Sequence, residues 1–299
     1  MAGVHSKPAC PIQACHALRL CGAGAATILR AMTNNVLITT VAGIVEGLTE
    51  FLPVSSTGHL LLTERLFGQQ LSDLFNIVIQ SGAVLAVLPL FRERLAQFLF
   101  RWRERATQLY AAKIAVAFLV TAIGGLALEK SGFKLPETAF PIAMALLVGG
   151  LGFIAVEAWL KRRTTGSDIT WLIAVVVGLA QVLAAVYPGT SRSGSSILFA
   201  LLLGLSRPAA TEFSFLVGIP TMLAAGSLKI LHEVRHPVPG APPEDWALVA
   251  LGFMVSALVS FIVVKWLLRY VQTHTFTAFG WYRIAIAALI FGLLAAGSS

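Results

Sequence analysis

Two clusters in this chain hold residue types that can do chemistry at spacings that bring them within mutual reach. The first reads Glu46-Gly47-Leu48-Thr49-Glu50-Phe51-Leu52-Pro53-Val54-Ser55-Ser56-Thr57-Gly58-His59. Glu46 and Glu50 stand four apart, so on a helix their carboxylates share one face. Two such groups in an apolar stretch are costly to bury, and the pair either shares a proton or recruits a cation. The plainer alternative is an interfacial pair that only ends a helix. Ionisable residues at membrane depth are functional by default, which favours the first reading. Ser56 and His59 are three apart, so on a helix that begins near Pro53 they occupy neighbouring turns, as a nucleophile and its base would. A capping serine beside an ordinary interfacial histidine is the structural alternative. Their place in a break between two half-helices argues for chemistry.

The second cluster reads Pro188-Gly189-Thr190-Ser191-Arg192-Ser193-Gly194-Ser195-Ser196. An arginine flanked by hydroxyls and glycines at the start of a helix offers a phosphate a forked cation, hydroxyl donors and free amides at a positive helix end. Arg207 reads instead as an arginine that snorkels to the interface. Thr190, Ser191 and Ser193 are candidate phosphate contacts in this cluster, as Ser55 and Thr57 are in the first. Gln80 and Glu212 either line the same cavity or join helices by hydrogen bonds.

The elements that must position these residues are membrane helices. The chain has 299 residues, 57% of them hydrophobic and only 12% charged, with a mean hydropathy of +0.81. Six apolar runs approach the ~20 residues that cross a hydrocarbon core: about 74 to 91, 109 to 128, 138 to 160, 209 to 231, 246 to 268 and 281 to 297. The net charge of +8 sits largely in short loops, which fits topology rather than nucleic-acid binding. Residues 92 to 105 carry five arginines against two glutamates, which assigns them to the cytoplasm and fixes the direction of every span by counting. Residues 1–35 are expected to be a disordered extension or the product of a mis-assigned start. Cys10, Cys15 and Cys21, all within it, give no disulfide framework.

Two stretches, residues 36–67 and 171–205, are apolar but broken centrally by Pro, Ser and Gly, and each is expected to be re-entrant. Irregular backbone at membrane depth is tolerated only against protein or a water-filled cavity, so such breaks mark sites. Pro53 placed over Pro188, an offset of 135, brings Gly43 onto Gly178, Glu46 onto Gln181, Ser55 onto Thr190 and Ser56 onto Ser191. The fold expected is an all-α polytopic membrane protein, a single membrane domain over residues 36–299. It has six transmembrane helices plus two re-entrant helix-loop-helix segments. Two repeats of opposite topology, residues 36–128 and 171–268, let the breaks meet at the midplane.

On these two clusters the chain, from about Asn34 onward, resembles the undecaprenyl-diphosphatase family, the bacterial bacitracin-resistance proteins. The resemblance implies an inner-membrane, multi-pass hydrolase that converts undecaprenyl diphosphate to the monophosphate. That reaction recycles the carrier lipid for cell-wall synthesis and confers bacitracin resistance. It also implies roles: Glu46 and Glu50 the essential acidic pair, Ser56 the candidate nucleophile, His59 the candidate base, Arg192 the phosphate clamp beside Ser191. Glu46 and Glu50 either shuttle protons or hold a divalent cation, Mg or Ca; no organic cofactor is expected. The partners expected are the polyprenyl diphosphate and the bilayer, not nucleic acid, with a homodimer compatible and the site open to the periplasm. The acid-phosphatase-like lipid phosphatases are a poor match, because the histidine they place six residues after the arginine is Leu198 here. A polyprenyl-phosphate transporter or flippase is the rival reading, since broken helices in inverted repeats are transporter architecture.

Overall fold

The computed structural model describes residues 35–132, 138–236 and 244–297, so the expectations for residues 1–34 lie outside the described residues. Among the described residues there are eleven α-helices: α1 (Asn35–Thr49), α2 (Ser56–Phe67), α3 (Asp73–Val87), α4 (Arg92–Phe100), α5 (Arg105–Lys130), α6 (Ala139–Leu160), α7 (Trp171–Val186), α8 (Arg192–Leu202), α9 (Arg207–Arg235), α10 (Trp246–Tyr270) and α11 (Thr277–Ala295). No β-strand occurs among the described residues. Six segments among the described residues are long and apolar enough to cross a membrane: Asp73–Phe100, Arg105–Leu128, Ala139–Leu160, Arg207–Arg235, Trp246–Tyr270 and Thr277–Ala295. They coincide with the six apolar runs. The remaining apolar helices, α1, α7 and α8, are shorter.

One sequence expectation changes at the cytoplasm-assigned arginines. Residues 92 to 100 are not a loop: a 3-10 turn, Leu88–Phe91, passes the chain from α3 directly into α4. The run Leu95-Ala96-Gln97-Phe98-Leu99-Phe100 between the arginines propagates the helix and leaves Leu99 and Phe100 exposed. Such an amphipathic extension suits a bilayer interface.

Small residues set the helix crossings. Apolar helices in lipid gain little from the hydrophobic effect against one another, so close backbone approach must supply the packing. Gly43 of α1 rests on the Gly252 carbonyl of α10, and Gly178 of α7 rests on the Ala117 carbonyl of α5. The two glycines paired at an offset of 135 thus make equivalent crossings. In the same way Gly150 of α6 and Gly280 of α11 meet backbone to backbone: a Cβ on Gly150 would come within 2.7 Å of the Gly280 carbonyl oxygen.

Around α9, the longest helix, the main core gathers Phe51, Phe153, Phe213, Phe215, Val217 and Leu267. A second tie is ionic. Glu157 of α6, 1% exposed, accepts from Arg207 Nε (2.8 Å) and from the Phe276 amide (2.8 Å), so it joins α6, α9 and the turn before α11. Arg207 is therefore an internal strut, not the snorkelling residue expected.

Replacement of Gly150 by Leu is expected to destabilise the protein by about 2 kcal/mol or more, because backbone cannot yield to the added volume. Gly125→Leu, where a Cβ meets nothing within 4 Å, is the control. Melting temperatures of the detergent-purified variants make the comparison.

Candidate active site

Each chemical cluster falls at a helix break. The first break, residues 50–55, separates α1 from α2; the second, residues 187–191, separates α7 from α8. Each ends on a serine that caps the next helix with positive φ: Ser55 at φ 74, ψ 101 and Ser191 at φ 68, ψ 115. For a residue with a Cβ this region is sparsely allowed, and strain of this kind persists only where surrounding structure enforces it. These equivalent caps are 136 apart, whereas Gly43 and Gly178 are 135 apart, so the second segment holds one more residue before its cap. Ser55 therefore corresponds to Ser191 and Ser56 to Arg192, one place off the pairing read from the prolines.

A buried arginine enforces both breaks. Arg283 of α11 is fully buried, and its guanidinium, with five N–H donors, meets five carbonyl oxygens. Nη1 donates to Pro53 (3.1 Å) in the first break. Nη2 donates to Gly189 (3.2 Å) and Thr190 (3.0 Å) in the second, and to Ala145 (3.0 Å) of α6. Nε donates to Leu146 (3.3 Å). Gly189 has φ 91, and a Cβ there would strike the α6 backbone at Ile142, so only glycine lets the second break seat against α6. The sequence reading passed over Arg283, although the signal was present: a lone arginine within the last apolar run.

Held this way, the breaks bring their side chains together. Arg192, first residue of α8, donates from Nη2 to Glu50 Oε1 (3.0 Å). The other oxygen of Glu50, Oε2, accepts from the Ser56 hydroxyl (2.7 Å). Glu50 thus joins a hydroxyl on one break to a guanidinium on the other. The acidic partner that Arg192 lacks in nearby sequence comes from the opposite segment. Ser193 Oγ completes the junction by donating to the Leu52 carbonyl (3.1 Å), and the Ser191 hydroxyl accepts from the Gly194 amide (3.1 Å).

Glu46 lies one turn before Glu50, 1% exposed. Its carboxyl sits beside that of Glu50, and its Oε2 has no hydrogen-bond partner among the described residues. Gln181, aligned with Glu46, is equally buried, and neither polar atom of its amide has a partner among the described residues. Among the described residues no group of three or more His, Cys, Asp and Glu is arranged to hold a metal ion. The free oxygen of Glu46 nevertheless suits a cation whose other ligands come from phosphate, as Mg2+ sites commonly are built.

The other candidates divide. His59 does not hydrogen-bond Ser56: Nδ1 donates to the Ser55 carbonyl (2.7 Å), which leaves Nε2 to accept from the Tyr282 hydroxyl (2.8 Å). The backbone carbonyl fixes that tautomer, since it can only accept. Thr190 Oγ1 turns back to the Tyr187 carbonyl (2.7 Å). Thr57 is exposed, and among the described residues neither its side chain nor that of Gln80 makes a hydrogen bond. Glu212 belongs elsewhere: it pairs with Arg94 and lines a separate cavity of about 430 Å³ with Arg92 and Gln272.

The fold and site define a polytopic all-helical membrane protein with a Ser–Glu–Arg constellation where two broken helices meet. The sequence profile of the Bacitracin resistance protein BacA family matches residues 39–289. The chain belongs to that family. It is 52% identical over 258 residues to an undecaprenyl-diphosphatase of Rhizobium etli, which covers 86% of this chain and 96% of the relative. An undecaprenyl-diphosphatase of Xanthomonas axonopodis pv. citri is 48% identical over 265 residues, 88% of this chain and 99% of the relative.

Arg283→Met, which keeps most of the volume and removes the donors, is expected to leave carbonyls of both breaks unpaired at a cost of about 1 to 3 kcal/mol each. A large fall in melting temperature in detergent would show it; an unchanged melt would mean that the breaks hold without it.

Proposed function

We propose that this protein hydrolyses undecaprenyl diphosphate to undecaprenyl phosphate and inorganic phosphate, recycling the carrier lipid for cell-wall synthesis and conferring bacitracin resistance. The observation that carries this reading is Glu50, hydrogen-bonded at once to the Ser56 hydroxyl and to Arg192. Phosphoryl transfer needs a positioned nucleophile and cationic stabilisation of the equatorial phosphate oxygens, and one carboxylate aligns both. In this reading the incoming diphosphate takes Arg192 and the amides at the start of α8. Glu50, released from Arg192, accepts the proton of Ser56 as Oγ bonds to the terminal phosphorus and the bridging P–O bond breaks. Undecaprenyl phosphate departs. Water then attacks the phosphoseryl phosphorus, Ser56 recovers its proton from Glu50, and phosphate leaves. Glu46 supplies the second carboxyl through which these protons can pass. His59, tied to Ser55 and Tyr282, orients the strained cap that presents Ser56.

A divalent cation, Mg or Ca, would be held by Glu46 and Glu50 against the diphosphate, and when bound it would neutralise charge on the phosphates. The reading extends to a bacterial plasma-membrane location, with α1–α2 and α7–α8 as re-entrant pairs in inverted repeats, the site open to the periplasm, and a homodimer as the assembly. Two broken helix pairs that meet also favour a second reading, carriage of polyprenyl phosphate across the bilayer, alone or beside hydrolysis. Transfer of labelled lipid between leaflets of vesicles that hold the Ser56→Ala protein would separate carriage from hydrolysis.

Phosphate release by the purified protein tests the hydrolase. Ser56→Ala is expected to lower kcat by about 10²-fold or more if Oγ is the nucleophile, whereas near-normal turnover assigns the attack to water. Arg192→Ala is expected to cost about 10²- to 10³-fold, with Arg192→Lys recovering only part because the forked geometry is lost. Chelator is expected to abolish turnover, restored by Mg or Ca; full activity in chelator would remove the cation from the reading. No phosphate release under any metal condition would overturn the hydrolase.

A further inference from the structure

α9 contributes Ser214, Gly218 and Met222, spaced four apart and so on one face, to the lining of a crevice shared with Glu50, Arg192 and Ser193. Gly218 is buried, yet a Cβ placed on it would meet no neighbouring heavy atom within 4 Å. The other described glycines with such open space are all partly or fully exposed. The space at Gly218 is thus a small hollow, about 10 Å³, in a crevice beside the ion pair of the active site, room for a single carbon or water rather than a longer stretch of chain. Nearby, Ser214 is 2% exposed, and its hydroxyl has no hydrogen-bond partner among the described residues.

A hollow of this kind is disfavoured twice in a purely structural sense. Glycine within a helix is less stable than alanine, and a void forfeits dispersion contacts that a methyl group would restore. The walls identify what fits. Besides Glu50 and Gly218, the lining combines the donors Arg192, Ser193 and Ser214 with the apolar side chains Phe51, Phe215 and Met222. A ligand that suits both carries an anionic head joined directly to a hydrocarbon chain.

We propose that the Gly218 hollow receives the first carbon of the prenyl chain next to the diphosphate, and that Gly218 determines specificity by leaving room for it. This assignment rests on the hydrolase reading above. The diphosphate on Arg192 brings its first chain carbon against Gly218, with Ser214 free to donate to an oxygen at the head–chain junction.

Gly218→Ala and Gly218→Leu, purified in detergent, test the assignment by three measurements: KM for a long-chain polyprenyl diphosphate, the inhibition constant of inorganic diphosphate, and melting temperature. The Leu variant is expected to raise KM at least tenfold and the Ala variant less, with inorganic diphosphate inhibiting both within twofold of wild type and with melting temperatures equal or higher. The Ala variant, whose added carbon meets nothing, keeps the test valid if Leu prevents folding. Wild-type KM in both variants would overturn the assignment and make the hollow a packing void. An equal weakening of inorganic diphosphate inhibition would also overturn it, by assigning the space to the phosphate site. Failure of the wild-type chain to release phosphate would instead overturn the hydrolase reading itself.

Discussion

The structure depends on satisfying irregular backbone where no water is available to do so. Two helix breaks, residues 50–55 and 187–191, leave carbonyls outside any helical ladder, and each one unpaired in an apolar interior would cost on the order of kilocalories. Arg283 answers this with one guanidinium spread across Pro53, Gly189, Thr190, Ala145 and Leu146. Among the described residues no carboxylate pairs with it, so carbonyl dipoles alone compensate a fully buried charge. The two breaks are thereby fixed to each other and to α6, and both positive-φ serine caps are enforced from outside their own segments.

That constraint explains why the reactive groups can be short and few. Ser56 and Arg192 are the first residues of α2 and α8, and each follows directly on a strained cap. Once the caps are fixed, Glu50 needs only one carboxylate to reach a hydroxyl on one side and a guanidinium on the other. Its pairing with Arg192 also neutralises the site before any phosphate arrives, which lowers the cost of keeping a carboxylate and a cation at depth. In the proposed mechanism a phosphate that takes Arg192 would free Glu50 for proton transfer, so that binding and activation would be linked through one ion pair.

Much of this was legible in the residues. The six spans followed from apolar length, and the two helix breaks followed from Pro, Ser and Gly clusters inside apolar stretches. The glycines at 43 and 178, paired at an offset of 135, both sit at close helix crossings, which tolerate no side chain. Register slipped one place at Ser55 and Ser191, since a proline marks a break without fixing how many residues the break contains. His59 shows the limit of helical spacing: three residues put it near Ser56 in sequence, but a backbone carbonyl and Tyr282, 223 positions away, hold its ring. Long-range partners of this kind leave no local signature, and neither Arg283's role nor the pairing of Glu50 with Arg192 could be read from neighbours along the chain. Arg207 likewise found a buried carboxylate, Glu157, on a helix that sequence spacing gave no reason to place beside it.

The most direct test asks whether groups on the two breaks work as one unit. A double-mutant cycle on kcat/KM with Glu50→Gln, Arg192→Lys and the double variant, using a long-chain polyprenyl diphosphate, measures their coupling. If Glu50 joins the breaks as described, the double variant will be little worse than the poorer single variant. Losses that multiply would show two independent contributions and contradict a site assembled across the junction.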